Sequence, residues 1–310
     1  RNIKISEQEF DANLQSVWQQ QGTNAKQDTF SVFIEKSWHF DQLSLNWGAR
    51  YDQIHLEQKL STKHEKLDDS FTSLALSANY AFTQRHQLSA EIATAFRFPS
   101  VSELFFSGET PRGSTQGNVD LMPEESIGLQ VNYQYKLNSQ LSLLANSYLY
   151  QIDNYIERFQ LNESTRSYRN SEQVKIKGFE LSAQWQVNSQ LNSKFSYQWQ
   201  QGQNSSNQTV DDGLPTALKW SLNYKPNSAA LNRFSFNNQL NYRLKKSAFG
   251  PSEQALDNVL ILNSSIKYAV LPTMDIALSL LNLTNRNYRA SADEDAPWQP
   301  ERSLNLKWQW

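Results

Sequence analysis

Apolar and polar residues alternate with a period of two along almost the whole chain, and the helical period is nearly absent. At the C-terminus Leu304, Leu306, Trp308 and Trp310 alternate with Asn305, Lys307 and Gln309. The same rhythm runs through Leu43, Leu45, Trp47, Ala49 and Tyr51, and through Leu74, Leu76, Ala78, Tyr80 and Phe82. It returns at Leu129–Leu137, Phe179–Val187 and Leu218–Tyr224. Successive side chains of a strand point to opposite faces, so each segment predicts a strand with one apolar and one polar face.

The connections fall into two sets. Short ones lie around Asp41, Gln84–Arg85, Asn138–Ser139–Gln140, Asn188–Ser189–Gln190, Asn227–Ser228 and Pro272. Long ones lie near 20–27, 60–70, 99–124, 161–167, 201–214, 247–255 and 290–300. The two sets alternate along the chain. That pattern predicts an all-β fold: an antiparallel up-and-down transmembrane β-barrel with tight turns on one rim and long loops on the other, about 14 strands being present. Aromatic residues cluster beside the short turns, at Trp38, Phe40, Tyr80, Phe82, Tyr133, Tyr135, Trp185, Tyr224 and Tyr268. A β-sandwich core uses the same residue types, but clustering at one rim predicts the aromatic girdle of a membrane interface. Strands over Leu141–Leu161, Ser167–Val187 and Met274–Ala290 exceed the roughly 9–11 residues that cross an apolar band, so they are expected to project on the long-loop side.

Composition narrows the class. The chain has 310 residues, room for one large or two ordinary domains. Its formal net charge of −2 gives no reason to expect nucleic acid or an anionic surface. It has no cysteine, which fits maturation in an oxidising compartment. No run reaches 18 apolar residues, so no transmembrane helix is expected. The mean hydropathy of −0.67 is compatible with a barrel, where only alternate residues meet lipid. No signal peptide opens the chain, and Arg1 starts in mid-pattern, as at a truncation or a processed end.

Five motifs, in order, resemble the TonB-dependent receptor family. Phe96-Arg97-Phe98-Pro99-Ser100, followed by Glu103-Leu104-Phe105, resembles its strand-to-loop motif. Gly117-Asn118, Leu121 and Pro123-Glu124 resemble its GN-x-x-L-x-P-E signature. Ile176, Gly178 and Glu180 resemble I-x-G-x-E. Asn282-Leu283 with Asn285 and Tyr288 resembles the penultimate strand, and terminal Trp310 resembles the signal read by the barrel assembly machinery. The resemblance implies an outer-membrane receptor of a Gram-negative bacterium, with a 22-stranded barrel and an N-terminal plug that contacts TonB. The plug and about eight strands are not in this sequence, so residues 1–310 are expected to be the C-terminal portion of such a barrel.

No catalytic constellation is evident, and no enzyme activity, cofactor or metal is expected. There is no G-x-S-x-G nucleophile elbow. With no cysteine, His39, His55, His64 and His86 do not suggest a structural zinc site. His39 and His86 lie by short turns, while His55 and His64 lie toward the long loops. The resemblance implies uptake of a scarce nutrient. Haem receptors of the family usually place a histidine between the first two motifs, so the resemblance disfavours haem, since 99–124 contains none; its copper receptors favour Met and His, and only two methionines, Met122 and Met274, are present. A ferric siderophore, often anionic and ring-bearing, suits arginine and aromatic side chains. The candidates on the long-loop side are Phe105, Phe106, Arg112, Tyr155, Arg158, Phe159, Arg166, Tyr168, Arg169 and Trp298. Asp293, Glu294 and Asp295 form an acidic run that reads as a solvated or lipopolysaccharide-bridging face, with cation binding as the alternative. Expected partners are the ligand, the TonB complex through the plug, outer-membrane lipid and lipopolysaccharide, and the assembly machinery, with no nucleic acid. The rival readings are a complete 14-stranded porin-like channel and an outer-membrane barrel enzyme.

Overall fold

The computed structural model describes residues 2–4, 7–10, 16–20, 24–59, 64–110, 113–162 and 164–310. The chain forms β1 (Asn2–Lys4), β2 (Glu7–Phe10), β3 (Ser16–Gln20), β4 (Asn24–Phe40), β5 (Leu43–Lys59), β6 (His64–Ala81) and β7 (His86–Arg97). A single helical turn, α1 (Val101–Phe105), precedes β8 (Ser107–Thr110) and β9 (Gly113–Gln116). Then come β10 (Glu124–Lys136), β11 (Leu141–Gln160), β12 (Thr165–Gln186), β13 (Leu191–Asn204), β14 (Ala217–Tyr224), β15 (Phe234–Arg243), β16 (Val259–Leu271), β17 (Met274–Leu281) and β18 (Ser303–Gln309).

Sixteen strands share one sheet, and its path is β1-β4-β5-β6-β7-β10-β11-β12-β13-β14-β15-β16-β17-β18. Each strand on that path is hydrogen-bonded to its sequence neighbour or, across the insertions β2–β3 and α1–β9, to the next long strand. This is the predicted up-and-down meander, and the fourteen strands on the path match the expected number. Among the described residues nothing pairs β18 with β1 or β4, so the sheet is open. A small hairpin, β8–β9, leans on β12 through a parallel pairing of Ser114–Gln116 with Thr165–Ser167.

The ladder register separates the two faces. Trp38, Leu45, Ala78, Ala90 and Val131 sit opposite one another across five strands, forming one row of an apolar face. Ser37, Asn46, Ser77, Glu91 and Gln130 form the neighbouring row on the polar face. Further round, Gln184, Lys194, Ser221, Gln239 and Asn263 continue the polar face. The apolar face stays open to its surroundings: Trp38, Phe40, Tyr80, Phe82, Tyr133, Trp185 and Tyr224 are all exposed beside the short turns. His86 joins them, its ring stacked on Tyr135 at 4.4 Å and its Nδ1 at 2.6 Å from the Tyr133 hydroxyl.

Several expected boundaries move. The stretch 60–70 is not all loop, because His64–Ser70 pairs with Gln53–Lys59. Asn24, Thr165 and residues up to Asn204 likewise belong to strands. These segments carry polar residues on both faces, so alternation is invisible there while the backbone ladder continues. Met274–Ala290 was expected as one long strand, but β17 stops at Leu281. Asn282 and Asn285 adopt φ of 50° and 51°, a left-handed conformation that turns the chain out of the ladder. The region 99–124 contains α1, signalled by a capping box that the strand-oriented reading passes over: Glu103 N–H donates to Ser100 Oγ, and Ser100 N–H donates to the Glu103 carboxylate.

Candidate ligand-binding site

The motif residues build a clasp at the long-loop ends of β7 and β10. Arg97 and Glu124 are ladder partners, and the guanidinium donates twice to the Glu124 carboxylate, each bond 2.8 Å. Its third nitrogen donates to Glu103 at 2.9 Å. Bidentate arginine–carboxylate geometry of this kind fixes orientation as well as charge. Burial alone raises the Glu103 carboxyl, but hydrogen bonds from Arg97 and Ser100 outweigh it and hold it below its ordinary value. Glu124 also accepts the Ile156 N–H at 2.8 Å, which ties the clasp to β11.

The remaining motif positions lock this clasp to β12. Gly117 passes so close to α1 that a Cβ there would lie 2.7 Å from the Leu104 carbonyl oxygen. Asn118 donates to the Tyr168 carbonyl at 2.9 Å. Asn170 accepts from Met122 N–H and donates to Met122 O, both at 2.8 Å. Beneath lie Val101, Leu104, Phe105, Leu121 and Ile156, a small apolar core against which Phe98 and Tyr168 pack. Pro99 is buried, Pro123 half-buried, and Phe96 stacks on Phe71 at 4.2 Å. Elsewhere, Gly178 leaves room for the Tyr148 ring that covers it across the ladder. Glu180 faces Gln198 and Asn146 on the polar face. Asn282 is buried; its amide donates to the Arg286 and Pro300 carbonyls, and Leu283 N–H donates to Leu262 O. Trp310 projects past β18, 87% exposed.

Above the clasp a cleft of about 280 Å³ opens between β11–β12 and three loops. Tyr155, Arg158 and Tyr168 line one wall; Asp211 and Asp212, Ser252 and Glu253, and Asp293 come from the loops 205–216, 244–258 and 282–302. The loops are tied together. Ser252 N–H donates to Asp211 at 2.9 Å, Asp212 N–H to Glu253 at 3.1 Å, and Gln254 N–H to the Ala292 carbonyl at 2.7 Å. Lys246 neutralises Glu253 at 2.6 Å, with both side chains nearly buried. Asp211 and Asp212 have no cationic partner among the described residues, and burial pushes the Asp211 carboxyl up. Arg158, the ladder neighbour of Tyr168, has no carboxylate partner among the described residues. Burial, then Asp212 and Glu124, pushes the Tyr155 phenol up to about 12, so it remains a neutral hydrogen-bond donor at physiological pH.

Of the ten expected ligand residues, the fold thus brings together Tyr155, Arg158 and Tyr168. Phe105, the last residue of α1, is buried, and Phe106 is half-buried beside it. Arg112 lies outside the described residues. Arg169 pairs with Glu157 at 2.8 Å and stacks over Phe159 at 4.7 Å. Arg166 is an ion-pair partner of Glu294 and approaches Asp295 at 3.8 Å, so part of the acidic run is a bridge between loops. Trp298 lies in a second cleft, under the Arg289 guanidinium. His55 is paired with Asp68; the His64 side chain lies outside the described residues. Sequence reasoning missed Asp211, Asp212 and Glu253, because nothing local distinguishes loop carboxylates that converge only through the barrel's curvature.

Comparison with known proteins accords with this architecture. A copper transporter, OprC, superposes with a TM-score of 0.78 at 19% identity, covering 93% of this chain and 47% of that one. The FrpB iron transporter of Neisseria meningitidis gives 0.71 at 14% identity, covering 93% and 46%. The vitamin B12 transporter BtuB of Vibrio vulnificus is 23% identical over 248 residues, which are 76% of this chain and 37% of that protein. The chain thus spans less than half the length of these relatives. The family described as TonB dependent receptor-like, beta-barrel matches residues 5–285. With an open antiparallel meander, one apolar face and the motif clasp in place, the chain belongs to the TonB-dependent receptor β-barrel family, whose members are outer-membrane barrels of Gram-negative bacteria.

Proposed function

We propose that this chain is the C-terminal portion of the barrel of an outer-membrane receptor that binds a ferric siderophore for TonB-driven uptake into the periplasm. The open edges of β18 and β1 need further strands before a bilayer tolerates them, which favours this reading over a complete 14-stranded channel. The observation that carries the ligand reading is the convergence of Tyr155, Arg158 and Tyr168 in one cleft on the long-loop side. An uncommitted guanidinium beside two phenols suits the oxygen-rich, partly flat surface of an iron chelate. The carboxylates of Asp211 and Asp212 refine the choice: they repel a multiply anionic catecholate complex and favour a neutral or cationic one, such as a ferric hydroxamate. The B12-transporter relative supports a second reading, a corrinoid ligand held by hydrogen bonds at the mouth of the same cleft.

Tryptophan-fluorescence titration of the full-length receptor in detergent separates these readings. Saturable quenching by a ferric hydroxamate at submicromolar concentration is expected. Arg158→Ala weakens it at least tenfold, whereas Arg169→Ala, already committed to Glu157, leaves it near wild type. Binding of cyanocobalamin alone supports the second reading. No response to any ferric chelate sinks the first.

A further inference from the structure

Two clefts open on the long-loop side, and their linings carry opposite charge. The proposed ligand cleft holds one guanidinium, Arg158, among six carboxylates, Asp211 and Asp212 included. A second cavity, of about 420 Å³, lies where the long-loop ends of β15 and β16 meet the 282–302 loop. It holds three guanidiniums, Arg243, Arg286 and Arg289, and one carboxylate, Asp257. The two clefts share no lining residue. The second falls within the roughly 300–1,000 Å³ range of small-molecule pockets.

The fold holds the walls of this cavity in place. Arg289 and Trp298 are bridge partners within the loop, and Gln299 N–H donates to the Tyr288 carbonyl at 2.8 Å. Arg243 donates to the carbonyls of Arg289 and Asp257, which fastens the loop to the end of β15. None of the three guanidiniums has a carboxylate partner among the described residues. The Nε–H groups of Arg243 and Arg289 are buried and meet no acceptor, while the Arg286 guanidinium is exposed and unpaired. Rings complete the lining: Arg289 stacks 4.8 Å over Trp298, and Tyr242 and Tyr288 join Leu260. Positive charge without counter-ions attracts an anion, and a guanidinium fork matches a planar carboxylate with two bonds. The rings accept a flat apolar body behind that head. Asp257 in the same wall opposes a doubly charged head, which favours a carboxylate over a phosphate.

We propose that this cavity is a second small-molecule site, selective for an aromatic monocarboxylate. The carboxylate accepts hydrogen bonds from Arg286, and the ring lies against Trp298. The site is separate from the acidic cleft and independent of which nutrient that cleft takes.

The test titrates the full-length receptor, in neutral detergent, with naphthoate by calorimetry. The comparators are uncharged naphthamide, ringless acetate and doubly charged naphthyl phosphate. Saturable binding of naphthoate at micromolar concentration is expected, at least tenfold tighter than any comparator. Arg286→Gln, at an exposed side chain without a partner, weakens naphthoate at least fivefold and leaves naphthamide unchanged, whereas Trp298→Ala weakens both. Both variants are expected to melt at the wild-type temperature, so a lost signal is not lost folding. Absence of naphthoate binding, naphthamide binding as tight as naphthoate, or a naphthoate affinity untouched by both substitutions overturns the proposal. Tighter binding of naphthyl phosphate overturns the carboxylate assignment. Displacement of naphthoate by a saturating ferric hydroxamate also overturns it, since the two ligands would then share one cleft. No ferric chelate takes part in the naphthoate titrations, so failure of the siderophore reading leaves their result standing.

Discussion

The β11–β12 hairpin and the β17–β18 pair start from similar sequence patterns and end differently. Both carry an asparagine in the left-handed region, Asn154 with φ 55° and Asn282 with φ 50°. In β11 the ladder is interrupted between Asp153 and Tyr155, then resumes in the same register as far as Gln160. In β17 it ends at Leu281, and the chain wanders for about twenty residues before β18 begins. A left-handed asparagine therefore does not by itself end a strand. What decides is which groups take over the backbone hydrogen bonds it releases. At Asn154 they stay within the sheet: Asn170 donates to the Asn154 carbonyl at 2.7 Å, and Glu124 accepts the next free N–H, that of Ile156. At Asn282 the asparagine's own amide captures the Arg286 and Pro300 carbonyls and draws the chain into a loop.

The comparison can be broken from either side. Glu124→Ala is expected to have the largest effect. It leaves the Ile156 N–H unsatisfied and removes the bidentate partner of Arg97, at about 3 kcal/mol. Hydrogen exchange is expected to accelerate in Tyr155–Gln160 while Leu141–Asp153 stays protected. Uniform acceleration along β11 would show that the clasp holds the whole strand rather than its projecting end. Asn282→Ala comes next, at roughly 2–3 kcal/mol, since it loses two buried hydrogen bonds and places a Cβ-bearing residue without a side-chain bond at φ 50°. Limited proteolysis is expected to cut within 283–302 before any other segment, and a lower denaturation midpoint accompanies it.

Gly178→Ala sharpens the contrast within β12 itself. The new methyl meets the Tyr148 ring, which must rotate and give up the 3.1 Å bond it receives from Gln200. A loss of about 1–2 kcal/mol is expected, and shrinking the ring in Gly178→Ala/Tyr148→Ser is expected to recover most of the strain. Thermal melts of the three proteins decide it; no recovery in the double variant means the strain lies in the backbone. The smallest effect concerns pH. Burial raises the folded Asp211 carboxyl above its ordinary 3.8, so folding favours the protonated form. That contribution is present below the ordinary value and is lost as pH rises through the higher folded one. Loop 205–216 is expected to exchange its amides more slowly near pH 4 than at pH 7, after correction for intrinsic rates. Asp211→Asn flattens that dependence, and an unchanged profile would assign it to another group.

Most of the wall was readable from local pattern, because alternation of side chains across a pleat is a property of each strand on its own. Trp38, Leu45 and Ala78 declare their shared face without knowledge of their pairing, and the short turns at Asp41, Asn138 and Asn188 announce where each hairpin reverses. Reading weakened where both faces are polar, as at His64–Ser70, since a ladder there leaves no trace in hydropathy. The motif residues were visible as a set, but their task was not. Arg97, Asn118 and Glu124 are spent on one another, on α1 and on β11 and β12, and only the fold shows that these motif groups hold the loops rather than present charge to a ligand.

The candidate site divides the same way. Arginine and aromatic residues on the long-loop side could be named from the chain, yet Arg158, Arg166 and Arg169 were indistinguishable there. The structure leaves Arg158 uncommitted, pairs Arg169 with Glu157 and sends Arg166 across to the last loop. The sequence alone determined the strand rhythm, the two classes of connection and the family, because each depends on residues near one another in the chain. The tertiary structure decided which carboxylates face the cleft, which arginines remain free and where β17 ends. Those outcomes depend on contacts between residues separated by tens of positions, such as Asp211 with Ser252 and Arg166 with Glu294, which no local pattern encodes.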